Sequence, residues 1–230
     1  MKTILLIAIQ FLFIFPTLAQ EPEADTNPIN TTRQGFGDMR GIMTAVGFVN
    51  PKARTEGSAY YYEDWDSEAM IYLKEQGRYK VSQVNINLYD NTLDALYDDD
   101  NVFTFDTKEL LQIVIDKTIF RPFELDKKLR ILELFYNNKT PIYKHYYISY
   151  SKSSANPMIN RRTNKYIKNV SYYVFRDGEL IKMKLSRKAI AKLFTSDTLS
   201  EDAIESYIRD NHLSLKKEAD LIQVLNFVNK

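Results

Sequence analysis

The chain has 230 residues, a formal net charge of +1 at pH 7 and no cysteine. This length suits one domain with at most a small appendage, and the near-neutral charge lacks the basic footprint that is typical of nucleic-acid-binding domains. The absence of cysteine excludes disulfides, thiol nucleophiles and zinc–thiolate sites.

The first 19 residues have the layout of a secretory signal peptide. Lys2 supplies a positive charge, and the segment 4–15 is almost wholly apolar. Thr17 and Ala19 then place small residues at the −3 and −1 positions of a cleavage site. The apolar run is shorter than the about 20 residues that cross a bilayer. The sequence therefore predicts an exported protein, periplasmic or extracellular, that does not span the membrane after cleavage.

The rest of the chain divides into three parts by pattern. Residues 20–56 lack periodicity and are predicted to form a disordered or irregular leader. Strand-like stretches with tight turns fill residues 57–185, with the clearest alternation over 82–88, and they predict an antiparallel meander folded into a curved sheet, sandwich or open barrel. In residues 186–230, helical periodicity predicts two to three short helices packed on the sheet. The predicted fold class is α+β.

Local signals predict where several elements begin and end. Ser186 is expected to cap the first helix, Thr198 with Glu201 to form the capping box of the second, and Ser214 to cap the third. The polar and basic stretch 151–164 is predicted to be a long loop.

The first candidate site consists of Trp65 and the acidic residues on either side of it, Asp64 and Asp66. A tryptophan flanked by carboxylates can serve as a platform for a sugar, and a pair of carboxylates can cleave a glycosidic bond. A structural interpretation, in which Trp65 anchors the edge of the core, is open as well.

The second candidate site is a row of aromatic residues in a predicted strand, Tyr143, His145 and Tyr147. Alternate residues of a strand point to the same face, and exposed tyrosines are typical of contact surfaces for glycans or proteins. The alternative is that the terminal helices cover this face. His145 has the chemistry of a general base, but no nucleophile motif accompanies it in the chain.

The chain resembles a group of secreted proteins from flavobacteria and related Bacteroidota. The resemblance lies in Gly57–Tyr60, followed by Glu63–Trp65, in Val84–Asp90, and again in Lys188–Phe194 and Tyr207–Asn211. The group has no known activity. The resemblance therefore implies an exported bacterial protein with a sheet followed by helices, and it assigns no functional residue.

Together these features favour a non-enzymatic binding or interaction module of the bacterial envelope. Its expected partner is an envelope protein, a glycan or a peptide, with no nucleic acid, no metal and no cofactor. Two alternatives remain open. One is a glycan-directed hydrolase that uses Asp64 and Asp66, and the other is a structural component of the envelope.

Overall fold

The computed structural model describes residues 43–48, 55–75, 77–98, 101–153 and 163–230, so the predicted signal peptide lies outside the described residues. The described chain forms thirteen strands followed by three helices. The strands are β1 (Met43–Phe48), β2 (Thr55–Glu56), β3 (Glu68–Leu73), β4 (Arg78–Ser82), β5 (Val84–Asn87), β6 (Thr92–Leu96), β7 (Asn101–Phe105), β8 (Leu110–Ile115), β9 (Thr118–Leu125), β10 (Lys128–Tyr136), β11 (Ile142–Ser151), β12 (Asn164–Arg176) and β13 (Glu179–Met183). The helices are α1 (Arg187–Phe194), α2 (Glu201–Asp210) and α3 (Glu218–Val228).

The strands form two sheets. A four-stranded sheet has the order β1-β7-β6-β5, and a nine-stranded sheet has the order β13-β12-β11-β10-β9-β8-β3-β4, with β2 beside β12. The β2–β12 pair is parallel, and the other pairs are antiparallel. The larger sheet is curved and does not close. The predicted α+β fold, with a curved antiparallel sheet and short C-terminal helices, is confirmed.

The chain changes sheets at Gln83. This residue has a φ of 55° and separates β4 of the larger sheet from β5 of the smaller one. The predicted single strand over 82–88 is therefore divided at this point. Asn85 of β5 is fully buried rather than exposed, because the segment that contains Tyr62 and Asp64 covers the second face of β5.

The inner face of the nine-stranded sheet is the face that carries the two main cores. In the first core, Ile113, Phe120 and Ile131 of the larger sheet pack in one cluster with residues of β5 and β6. In the second core, Ile142 and Val174 pack in one cluster with residues of the three helices. The smaller sheet and the helices thus lie on the same side of the larger sheet.

The outer face is the opposite face of the nine-stranded sheet. It carries a third apolar cluster whose members all belong to β9–β13. Since side chains alternate along a strand, the outward residues are fixed by the register. Tyr143 is paired with Leu134 on one side and with Tyr173 on the other, and Tyr173 is paired with Lys182. The apolar cluster of the outer face is thus formed by side chains of the sheet itself, and Asn91 of the β5–β6 turn also reaches this face, where it lies beside His145.

The three helices begin at caps that only partly match the sequence prediction. Ser186 caps α1 as predicted, because its side chain accepts a hydrogen bond from Ala189 N. The prediction for α2 was wrong, since the bridge between Ser196 and Leu199 delays the helix and Ser200 caps it instead. The prediction for α3 was also wrong, because the cap position is Lys217, which makes no side-chain cap bond.

Candidate functional site

The row of Tyr143, His145 and Tyr147 lies on the outer face of β11. Burial falls along the row: Tyr143 is 1% exposed, His145 is buried, and Tyr147 is 37% exposed. The rings of His145 and Tyr147 are stacked, with 5.5 Å between their centroids. The structure therefore brings these three predicted site residues together in a row whose first member is buried and whose last member is exposed to solvent.

His145 sits in an environment that disfavours its charged form. Burial lowers its pKa to about 4, and the positive charges of Arg130 and Lys182 act in the same direction, while Asp126 opposes them. The Nε2 atom of His145 lies 3.2 Å from Oδ1 of Asn91, which assigns the proton to Nε2. At neutral pH this residue therefore offers an uncharged ring that is held in place by Asn91.

The aromatic floor is the apolar cluster of the outer face, centred on Leu132, Tyr143 and Tyr173. The ring of Phe123 on β9 lies 4.7 Å from the ring of Tyr143 and 5.4 Å from the ring of Phe175 on β12. In a flat sheet, β9 and β12 would be about 14 Å apart, because three interstrand spacings separate them. The rings can meet because the sheet curves toward its outer face, which is therefore concave over β9–β12.

Basic side chains surround the aromatic floor. Arg121 donates to Tyr143 Oη at 3.2 Å and, through Nε and Nη2, to Oε1 of Gln112. Arg130 is two residues from Leu132 on the same face of β10, and Lys182 is the cross-strand partner of Tyr173. Within the described ranges, no salt bridge involves either Arg130 or Lys182.

The Trp65 segment lies on the other side of the larger sheet. Tyr61 from this segment packs against Tyr146, which alternates with His145 and so faces inward. Asp64 and Asp66 are exposed, and Trp65 is half-buried. The ring of Trp65 lies edge-on to Tyr60, with 4.7 Å between centroids. The two sets of predicted site residues are thus on opposite faces.

Tyr60 connects Trp65 to a buried carboxylate that the sequence analysis did not select. Asp94 accepts hydrogen bonds from the hydroxyls of Thr92 and Thr104, both at 2.9 Å, from Tyr60 Oη at 3.2 Å and from Asn87 Nδ2 at 3.3 Å. Burial raises the pKa of Asp94, and these donors oppose the increase. The arrangement satisfies a buried carboxylate inside the smaller sheet and stabilises the packing of Tyr60.

A second group of titratable side chains joins the helices to the inner face. Lys144 Nζ lies 2.7 Å from Oε1 of Glu218, the first residue of α3, and 3.4 Å from Oε1 of Glu133. Tyr61 Oη donates to Oε2 of Glu133 at 2.7 Å. Lys144 Nζ also lies 4.2 Å from the centroid of the Phe135 ring. Each buried charge has a partner, so this group fits a structural role at the junction of β10, β11 and α3.

Sequence reasoning missed the basic residues and the phenylalanines of the outer face. The sequence does contain a signal for the basic residues, because Lys128, Arg130 and Leu132 of β10 alternate with Leu129 and Ile131. The sequence does not show that β9, β10 and β12 curve round one aromatic floor. That information lies in the order of the strands.

Among the described residues, no group of three or more acidic or histidine side chains is arranged to hold a metal ion. The helices of this part of the chain are too short and too polar to cross a membrane. No protein-family model, curated protein or solved structure matches the chain.

Proposed function

We propose that this protein is an exported, non-enzymatic binding module of the bacterial envelope, and that it holds its ligand on the outer face of β9–β13. The observation that carries the proposal is that the smaller sheet and all three described helices pack on the inner face. The row of Tyr143, His145 and Tyr147 lies on the opposite, concave face, where Asn91 of the smaller sheet contacts His145 and where Tyr147 is exposed.

Exposed apolar side chains on this face support a contact surface. Tyr147 and Ile167 are 37% and 43% exposed, and they occupy outward positions of two paired strands. Clustered exposed apolar residues beside polar ones are typical of interaction sites. The signal peptide predicted in residues 1–19 and the resemblance to secreted Bacteroidota proteins support the envelope location.

The glycan-directed hydrolase is less well supported by the geometry. A carboxylate pair that cleaves glycosides needs one carboxyl group kept protonated by an apolar environment. Asp64 and Asp66 are both exposed, and Trp65 packs against Tyr60. This geometry favours the interpretation of Trp65 as an anchor of the core edge.

The test is thermal unfolding of residues 20–230 with a panel of glycans, cell-wall fragments and peptides. A ligand at 100 times its dissociation constant adds about 2.7 kcal/mol to the free energy of unfolding. For a domain of this size that raises the unfolding midpoint by several degrees. We expect the rise to disappear in a Tyr147→Ser/Ile167→Ser variant and to persist in an Asp64→Ala/Asp66→Ala variant. The reverse pattern would move the site to the Trp65 segment.

A further inference from the structure

We propose that the ligand of the outer face is an acidic peptide segment that carries apolar residues beside its carboxylates. This inference rests on the proposed function and extends it to the chemistry of the partner. Three independent features of β9–β13 lead to it: the sign of the charge, the shape of the face and the free edge of β11.

The charge of the outer face is predominantly positive. Its outward positions on β9–β13 include Arg121, Lys128, Arg130, Lys165 and Lys182, and no outward position of these strands holds an acidic residue. Two acidic residues lie at its border: Asp126 in the β9–β10 turn, close enough to act on His145 and Tyr173, and Glu56, which pairs with Lys165. The inner face of the same sheet differs, since it holds Glu133. A predominantly positive field beside an apolar floor favours a partner that is both anionic and apolar.

The shape of the face favours a slender partner. The 5.4 Å distance between the rings of Phe123 and Phe175 shows that the face is concave at its centre. A bilayer surface is flat and cannot follow this concavity, whereas a single peptide segment can. The half-buried rings of Phe123 and Phe175, with Tyr147 and Ile167 further along, offer apolar contacts to alternate side chains of such a segment.

The free edge of β11 favours a peptide over a small amphipathic anion. Among the described residues, β10 pairs with β11 only over Glu133–Tyr136 and Ile142–Lys144, whereas β12 pairs with β11 as far as Ser151. In this part of the chain, the edge of β11 that would face β10 has no strand partner beyond Lys144. Asn91 of the β5–β6 turn lies beside this edge at His145, so the stretch that offers an unpaired backbone to a ligand is 147–151. An extended peptide can add its backbone hydrogen bonds to such an edge, as in β-augmentation.

Fluorescence anisotropy of labelled peptides with residues 20–230 tests this inference. The probe is a fluorescein-labelled peptide in which glutamate alternates with leucine and phenylalanine. Two matched peptides replace either the glutamates by lysines or the apolar residues by serines. We expect the first peptide to bind at least tenfold more tightly than either matched peptide. We also expect its affinity to fall as salt is raised, because exposed charges are screened.

The site is tested with a charge-reversal variant, Arg130→Glu/Lys182→Glu. It should weaken binding of the acidic peptide at least tenfold. The control Lys188→Glu/Lys192→Glu makes the same change in net charge on exposed positions of α1 and should leave binding unchanged. If the reversal variant does not fold, as judged by circular dichroism, the milder Arg130→Gln/Lys182→Gln variant takes its place.

Each contrary outcome has a distinct meaning. Equal binding of the acidic and lysine peptides, or equal loss in both variants, would overturn the acidic-peptide inference. Binding to phosphatidylglycerol vesicles through Arg130 and Lys182, without peptide binding, would overturn it in favour of a membrane surface. In each of these cases, the proposed function would still be supported if the thermal panel finds a ligand whose effect disappears in the Tyr147→Ser/Ile167→Ser variant. A ligand that binds at the Trp65 segment instead would overturn both.

Discussion

The ring of Phe123 on β9 lies 5.4 Å from the ring of Phe175 on β12, although two strands separate β9 from β12 in the sheet. This contact is the clearest sign that the nine-stranded sheet curves toward its outer face. It also explains how Tyr143 is almost completely buried on a face whose apolar cluster comes from β9–β13 alone, and which the smaller sheet reaches through Asn91, beside His145.

Two tyrosines of the same row are expected to differ in their contribution to stability. Tyr143→Ala removes a buried ring from the aromatic floor and should lower the free energy of unfolding by about 3–5 kcal/mol. Tyr147→Ala removes an exposed ring and should change it by less than about 1 kcal/mol. Urea unfolding of the two variants provides the measurement. A large loss for Tyr147→Ala would show that this ring belongs to the core rather than to a contact surface.

His145 should titrate well below an ordinary histidine. The chain has two histidines, so a His212→Gln variant leaves one histidine signal to follow by NMR. We expect a pKa of about 4 for His145, because it is buried and lies near Arg130 and Lys182. A value near 6.5 would contradict the buried environment described for this ring.

The same shift predicts how stability depends on pH. The unfolded histidine has a pKa of about 6.5, so between about pH 6.5 and pH 4 the unfolded state binds more protons than the folded state. The contribution of His145 to the free energy of unfolding should therefore be fully present above pH 6.5. It should be lost as the pH drops to 4, which lowers the free energy of unfolding by roughly 1–3 kcal/mol. Replacing His145 by Gln should flatten the fall in urea-unfolding experiments. An unchanged slope would assign the pH dependence to other groups.

Lys144 is expected to be essential for stability rather than for binding. Lys144→Met leaves Glu133 buried without its cation and should lower the free energy of unfolding by about 3–5 kcal/mol. Adding Glu133→Gln should restore part of the loss, because no uncompensated charge then remains. The control is Lys80→Met, which breaks an exposed salt bridge to Glu68 and should have no resolvable effect. Chemical denaturation of the four proteins tests this, and equal losses for Lys80 and Lys144 would contradict it.

Asp94 is expected to stabilise the smaller sheet. Asp94→Ala leaves the hydroxyls of Thr92 and Thr104 and the phenol of Tyr60 without their acceptor, at a cost of about 2–3 kcal/mol. Tyr60→Phe should cost about 1 kcal/mol, since it removes one donor. Asp66→Ala is the exposed control and should remain within about 0.5 kcal/mol of the wild type. Thermal unfolding distinguishes the three variants. Equal effects of Asp66→Ala and Asp94→Ala would show that the network is not stabilising.

Strands with clear local signals could be predicted from the sequence. β8 follows Leu110–Ile115 as predicted, and the Asp177–Gly178 turn joins β12 to β13. β9 was not predicted, because Pro122 and two charged residues interrupt its apolar pattern. β12 begins at Asn164 rather than at Ser171, so the strand includes the last residue of the stretch that was predicted to be a loop. Its pairing with β11 and β2 supplies the stability that local propensity lacks.

The candidate site could be predicted only in part. Alternation along β11 placed Tyr143, His145 and Tyr147 on one face, because this depends on local geometry alone. Which face is covered, and which cations surround it, depends on strands that are distant in the chain. Arg130 and Lys182 lie close enough to His145 to affect its pKa, and strand pairings that no local sequence pattern predicts place them there.

Site-specific photocrosslinking tests most directly whether the outer face is the binding surface. A photoreactive phenylalanine analogue replaces Tyr147 in one protein and Ile181 in another, since these side chains are 37% and 39% exposed. Ile181 is the cross-strand partner of Val174, which packs in the inner core, and it serves as the matched position on the inner face. The account predicts that a ligand selected by the thermal panel crosslinks to the analogue at position 147 but not to the analogue at position 181, and that Arg130→Glu/Lys182→Glu abolishes the adduct. Equal crosslinking at both positions, or crosslinking at position 181 alone, would contradict the account.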